Sequence, residues 1–555
     1  MLKPFLCHST VSTIAKPSDV NFCYNLAMSS INQTCRISGK QFIISDEDQA
    51  FYTKMDVPLP TLCPEERRRL RYLFRNERHW YHRNCDLSNK PILSIYHPDS
   101  PFKVYDNDTW WSDEWTPLDY GRDYDFTRPF FEQYKELSDT VPRLAIQNAK
   151  SENCKYTNYS SENKNCYLVV GTLGSEDCYY SYRIFYSKDI IDCYDLYKCE
   201  LCYESIQCKQ LYHGKYCKNC ESSYNLTLCE NCTGCQNCFG CVNLRNKKYH
   251  IFNEAYSEAE YHKKVAELEQ DLEGTMAKFK EFRLKQPHKA LQIKNCENCH
   301  GDQLFNSRNC HDSYILKDSQ DCAFMCYGVN NKDCMDANHA DNCELQYNAA
   351  NLEKNNNIIV ANLAWYVSDS AYITLCFNSN HLFGCVGMKK NKHCILNKQY
   401  IPKEYENMVK QIIKHMKQTG EWGQYFPANQ SPFAYNETTA QDHFPLTKEK
   451  ALQKGYTWKN HETREDTEQD NIMICSVTKK PYRLIPQEIK LYEKLNIPFP
   501  NKCPEQRLSE RQTKVNPHKL WKRKCTKTGK EILSSYSPDR PEFIYSEEAY
   551  LEEVH

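Results

Sequence analysis

The sequence predicts a mainly β chain with some α: two parallel β-solenoid halves, each followed by a helix, flanked by two small zinc-ribbon-like modules. Three observations carry that prediction. Cys35, Cys63 and Cys85 recur without a gap 440 residues later as Cys475, Cys503 and Cys525. Phe239-Gly-Cys-Val242 recurs 144 residues later as Phe383-Gly-Cys-Val386. In the middle of the chain, a phrase ending in Asn-Cys or Asp-Cys returns every 12 residues. A fixed period of this kind is the mark of a repeat architecture.

The end modules share more than their Cys. Lys40/Lys480, Tyr52/Tyr492, Pro58/Pro498, Arg67/Arg507, Arg71/Arg511 and Arg83/Arg523 match at the same offset, as do the Tyr-x-Pro-Asp-x-Pro turns at Tyr96 and Tyr536. Pro64 followed by Glu65 and Glu66 reads as a first helical turn. A zinc ribbon needs C-x2-C facing C-x2-C. Here the partner positions hold Ser38, Glu66 and Ser88 in one copy and Thr478, Gln506 and Thr528 in the other. His79 or His82 would complete a ligand set only in the first copy, because Lys519 and Lys522 replace them in the second. The knuckles are incomplete, and a metal-free ribbon is the preferred reading.

The middle phrase stands at Ser151-Glu-Asn-Cys154, Asn163-Lys-Asn-Cys166 and Ser175-Glu-Asp-Cys178, and Ile190 and Cys202 continue it. In the second unit Cys310, Cys322 and Cys334 keep the interval, and Ile358 and Ala371 nearly do. A polar turn residue makes the corner, and the Cys or Ile after it points inward to stack on its neighbour. Tyr beside the Cys suits a strand. Twelve residues fit one narrow coil or half of a wider one; metal-knuckle loops without a continuous sheet are the alternative. Each unit leads into a charged helical stretch, 257–285 and 402–418. Pro402 suits the first turn of the second stretch, and Gly274 is the one breaker inside the first.

The expected organisation is an N-terminal extension (1–34), module A (35–110), a linker (111–150), solenoid half B (151–256), a helical segment (257–290), solenoid half B′ (291–401), a helix and linker (402–470), and module A′ (471–555). Lys and Arg number 71 against 72 Asp and Glu, so bulk charge gives no argument for nucleic acid or membrane. No apolar run reaches ~18 residues. The first residues make a poor signal peptide, so a cytoplasmic location with reduced thiols is expected.

Residues 151–250 hold 14 Cys and 14 Tyr, of the chain's 32 and 40. Cys229, Cys232, Cys235, Cys238 and Cys241 follow one another at three-residue spacing, and Cys199/Cys202, Cys217/Cys220 and Cys296/Cys299 are further C-x2-C pairs. Such spacing lets one loop present two thiolates to one ion, which makes zinc the candidate cofactor. Against an iron–sulfur cluster, no Cys-Pro follows the run. The same residues also suit a tight interior as small hydrophobes, and packing is preferred over ligation.

The phrases CPEERRRLRYLFRNERHWYHRNC, WWSDEWTPLDYGRDYDFTRPFFEQ, CFGCVNLRNKKYHIFN, PFAYNETTAQDHFPLTKEKAL and RPEFIYSEEAY resemble a group of uncharacterised Cys-rich, zinc-ribbon-flanked repeat proteins of ultra-small candidate-phyla bacteria. The resemblance covers most of the chain from about residue 35. It implies full C-x2-C knuckles in the end modules, from which this sequence departs at Ser38, Glu66, Ser88, Thr478, Gln506 and Thr528. It implies a fold and a bacterial cytoplasm, and no activity.

Three functions are weighed. The preferred one is a non-enzymatic binding scaffold, its Tyr-rich ridges offering rigid contacts to a macromolecule. The alternative is nucleic acid, RNA more than DNA, bound by Arg67, Arg71, Arg75, Arg83 and Trp80 and by Arg507, Arg511 and Arg523. A solvated charged face is the commoner meaning of such a run. The third is a carbohydrate-active β-helix enzyme, which rests on analogy of fold. No GxSxG, P-loop or HExxH is present. Asp123 and Asp125, beside Arg122 and Arg128, read more simply as a linker ion-pair network. No membrane and no small-molecule substrate is expected.

Overall fold

The computed structural model describes residues 30–460 and 472–554, so most of the expected N-terminal extension and the end of the second linker lie outside the described residues. The described chain is mainly β, with twelve α-helices and two large sheets of 12 and 11 strands. Apart from a short antiparallel strand closing each, the large sheets are parallel. The pairing interval is 12 residues: Cys178 faces Ile190, Ile190 faces Cys202, and Tyr212 faces Tyr224. In the second sheet Cys310 faces Cys322, which faces Cys334.

The backbone explains the interval. Every third residue lies in the left-handed region, as at Asn153, Tyr156, Tyr159, Glu162 and Asn165. Each turn of 12 therefore has four corners, and the residue after each corner faces inward. Non-Gly residues in that region carry a steric cost of about 1–2 kcal/mol each, and Asn and Asp tolerate it best. Their side chains also ladder between turns: Asn153 Nδ2 donates to Asn165 Oδ1 (2.9 Å) and Asn165 Nδ2 to Asp177 Oδ1 (3.2 Å). With only four inward side chains per turn, the interior admits small groups. Cys166, Val169, Cys178, Ile184, Ile190, Cys193 and Leu196 form one such buried column set.

The sequence placed Ala371 on the inward column, and the structure moves it by one. Ser370 occupies the position, its Oγ accepting from Leu382 N (3.0 Å) one turn on, after Asp369 makes the left-handed corner. Each sheet ends on an Asn that imitates a further turn. Asn253 accepts from Val242 N and donates to Val242 O (2.9 and 3.0 Å), and Asn397 does the same with Val386 (2.9 and 2.8 Å). The helical stretch after the first sheet is two helices, Glu258–Gln270 and Leu272–Leu284, and the break falls at Asp271 rather than Gly274. Asp271 caps the second helix through Gly274 N (3.0 Å). Pro402–Thr419 forms one helix, with Pro in its first turn as expected.

Each end module consists of two antiparallel hairpins and two helices between them. The hairpins are Ile31–Thr34 with Gln41–Ile44 and Tyr81–Asn84 with Pro91–Ser94, and in the second copy Ile472–Ile474 with Pro481–Arg483 and Trp521–Lys524 with Glu531–Ser534. The modules dock crosswise. The helix Pro64–Tyr72 of the first packs on the second sheet, and the helix Pro504–Thr513 of the second packs on the first sheet.

Candidate functional site

The interior Cys face backbone rather than an open site. Cys229, Cys232, Cys235, Cys238 and Cys241 are each at most 1% exposed and follow five successive corners, the four of one turn and the first of the next. Each thiol donates to the carbonyl two residues back, as Cys232 to Glu230 O (3.5 Å) and Cys238 to Gln236 O (3.5 Å). Cys199, Cys202, Cys217 and Cys220 repeat this contact. Cys296 and Cys299, at the open start of the second sheet, are partly exposed and also donate to carbonyls. Among the described residues no three His, Cys, Asp or Glu are grouped to hold a metal ion.

In the end modules the thiols sit in turns of N–H donors. Against the opposing effect of burial, backbone N–H groups of Cys63, Ser38 and Ile37 and the Ser38 hydroxyl bring the Cys35 thiol down to about 7. Donation from Thr478, Cys503 and Val477 likewise outweighs burial and brings Cys475 to about 6. Cys85 Sγ accepts from Ser88 N and Asp106 N (both 3.4 Å), and Cys525 Sγ from Ser546 N (3.3 Å). Cys63 and Cys503 are the N-caps of their helices. Glu66, three residues after Cys63, pairs with Arg69 (2.7 Å), and Gln506, three after Cys503, donates to Glu510 (2.9 Å).

The arginines proposed for nucleic acid are largely turned inward. Arg67 Nε lies 2.8 Å from Asp336 Oδ2 and Arg71 Nη1 3.1 Å from Oδ1 of the same residue, which is 0% exposed in its side chain. Arg71 also donates to Asn338 (2.5 Å) and Asn348 (3.2 Å), and Arg75 to Glu77 (2.6 Å) and Asn351. In the second copy Arg507 and Arg511 pair with the buried Asp192, Arg511 at 2.7 Å. Arg83 and Arg523 donate to the carbonyls of His97 (3.1 Å) and Ser537 (2.8 Å) and stay partly exposed, as does Trp80. The sequence reading missed Asp192 and Asp336, although they stand 144 residues apart, the offset of the middle duplication.

The linker carboxylates are held by ion pairs and turns: Lys398 Nζ lies 2.5 Å from Asp123, Asp125 accepts from Thr127 N (2.8 Å), and Arg122 and Arg128 both reach Glu136.

Two further features bear on function, of which the first left no trace in the sequence. The first is a stack of rings where both modules and both sheets meet. Tyr72 stacks on His443 (centroids 4.8 Å), His443 on His518 (5.2 Å), and His518 on Tyr314 (5.2 Å). Tyr327 stacks on His339 (4.6 Å) beside them. Burial among Arg68, Arg78 and Arg183 pushes these imidazoles down, His443 to about 4. The second is an exposed aromatic surface on the first sheet. Tyr212 and Tyr224, 40% and 48% exposed, are stacked almost parallel (5.4 Å, 4°). Around the neighbouring corner, Tyr186 and Tyr197 are also exposed and pack edge to face (6.0 Å). Lys209 Nζ sits 3.7 Å from the Phe305 ring of the second sheet, and Lys317 Nζ 6.0 Å from Tyr197. Burial, with Lys317 and Lys294 nearby, lowers the Lys209 pKa. An open dent of about 430 Å³ lies near Arg308 and Asp318, and a cleft near Tyr96 and Arg143 holds about 20 Å³. No described helix is long and apolar enough to cross a membrane. Compared with protein-family models and with curated proteins, the chain matches no family model and no curated protein.

Proposed function

We propose that the chain is a non-enzymatic binding scaffold: two Cys-rich solenoid halves, closed by metal-free ribbon modules, that present an extended surface to a macromolecular partner. The observation that carries this reading is the exposed Tyr surface, with Tyr212 and Tyr224 stacked in register and Lys209 and Lys317 at its border. Stacked Tyr offers large, rigid contact area at low entropy cost, and nothing in the interior needs that surface to stay exposed. The inward pairing of Arg67, Arg71, Arg507 and Arg511 argues against nucleic-acid binding through the end modules.

The test compares the immobilised full chain with its Tyr212→Ala/Tyr224→Ala variant in a soluble extract, with and without nuclease. A macromolecule retained by the first and lost with the second supports the scaffold. Equal retention by both, or absorbance at 260 nm that follows Arg83 and Arg523 instead, sinks it.

A further inference from the structure

Each end module holds one pair of thiols and one isolated thiol, and the same two positions are paired in both copies. In the first, Arg36 N donates to Thr61 O (3.0 Å), Cys35 and Cys63 share one small buried cluster with Leu62, and Ser38 Oγ lies 3.7 Å from Cys63 Sγ. In the second, Cys475 and Cys503 repeat the contacts, with Thr478 Oγ1 3.6 Å from Cys503 Sγ and Thr478 N 3.4 Å from Cys475 Sγ. Between the copies the neighbouring positions differ, Ser38 against Thr478 and Glu66 against Gln506, while both thiols are present in each. Neither pair has a third ligand, because Glu66 and Gln506 are engaged within their own helices. Two thiols without further donors do not make the four-coordinate site that zinc takes. Two adjacent thiols do make a disulfide.

We propose that Cys35–Cys63 and Cys475–Cys503 are oxidisable dithiols, each closing to a disulfide that takes the place of the metal in a ribbon. With a peroxide as oxidant, one thiolate attacks the peroxide oxygen and becomes a sulfenic acid, releasing hydroxide. The second thiolate attacks that sulfur, the S–S bond forms, and the sulfenic oxygen leaves as hydroxide; the two protons released when the thiols ionised turn both hydroxides into water. Two thiols and one hydrogen peroxide give one disulfide and two waters. Each bond ties the first hairpin of a module to the N-cap of its docking helix, Pro64–Tyr72 or Pro504–Thr513. The third Cys of each copy, Cys85 and Cys525, also accepts backbone N–H groups, and as the isolated thiol of its module it serves as the internal control. The interior thiols are a second control, enclosed between stacked turns and donating to carbonyls.

The experiment treats the full chain, purified under reducing conditions, with dilute hydrogen peroxide, then alkylates the free thiols and maps crosslinked peptides by mass spectrometry before and after reduction. The expected result is two crosslinks and four thiols lost from 32. Cys35→Ala should remove only the first crosslink and Cys475→Ala only the second, while Cys85→Ser removes neither. Circular dichroism of the variants, with each unaltered module as its own reference, separates loss of a partner from loss of folding. Oxidation spread over interior thiols, equal modification of Cys85 and Cys525, absence of any crosslink, or metal released on alkylating these four thiols would each overturn the proposal.

Discussion

Arg71 Nη1 lies 3.1 Å from Asp336 Oδ1, and both side chains are 0% exposed. The pair joins the first end module to the second sheet. Arg511 and Asp192 make the mirrored contact at 2.7 Å, joining the last module to the first sheet. Each aspartate also takes a second arginine, Arg67 or Arg507, and each stands at a left-handed corner. The offsets of the two duplications, 440 for the arginines and 144 for the aspartates, thus meet in one pair of clamps.

Removing either aspartate leaves two buried guanidinium groups without their anion, which costs roughly 3–5 kcal/mol. Asp192→Ala is expected to lower the denaturant midpoint and expose residues 472–554 to protease, and Asp336→Ala to do so for residues 30–110. Denaturant titration with proteolytic mapping reads both. Equal exposure of both modules in either variant would mean the clamps are not separable.

Glu488 is buried in the docking face of the last module, where burial, against the opposing Tyr180 hydrogen bond and Arg507 charge, pushes its carboxyl up to about 7 from an ordinary 4.5. The fold favours its neutral form, so that contribution is fully present below about pH 4.5 and is lost as pH rises through about 7. Glu488→Gln should flatten the stability profile between those limits, as thermal melts across pH would show. At the matching place in the first module Asp48 lies 3.3 Å from His311. There burial is outweighed by hydrogen bonds to Asp312 and Asp48, and His311 is held up to about 10. Its contribution is present below the ordinary His pKa of 6.5 and lost only as pH rises through about 10.

The imidazole stack runs the other way. His443 is pushed down to about 4 by burial and by Arg68 and Arg78, with Glu77 opposing. His518 and His339 are also held neutral. Their contribution is present above pH 6.5 and lost as pH falls toward 4. His443→Phe should preserve the stack with Tyr72 and reduce acid sensitivity. Hydrogen exchange at pH 5 against pH 7 would show whether the junction opens first.

Interior Cys are sized to their columns. Cys232→Leu adds bulk to a space enclosed on four sides and should cost about 1–3 kcal/mol, whereas Cys232→Ser keeps a donor to Glu230 O and should cost less. Calorimetry of both variants, with zinc assayed in the same samples, separates packing from ligation. A larger loss for Ser than for Leu would contradict the packing role.

Much of the fold was legible because its causes are local. A corner every third residue and an inward side chain after it leave a 12-residue trace in Asn, Asp and Cys, and Ile190 and Cys202 kept that register in both sequence and structure. Where the inward residue was Ser370, the trace pointed instead to the apolar Ala371, since Ser carries no hydrophobic signal. The docking of the arginines was not legible, because Arg67 and Asp336 are joined by tertiary packing and an arginine-rich helix reads the same facing water or a buried aspartate. The His stack draws its rings from four distant stretches, and no local period announces it.

The crossed clamps also set a timetable for synthesis. Asp192 emerges from the ribosome 319 residues before Arg511, and Arg71 emerges 265 residues before Asp336. At about 5–20 residues per second the first sheet waits roughly 15–60 s for its arginines. Through that interval its docking face has an unmatched carboxylate and an uncovered apolar rim. Closure of the first half therefore falls to the last residues translated, and a ribosome that stalls before residue 504 leaves it open while the second half already has Arg67 and Arg71 on Asp336.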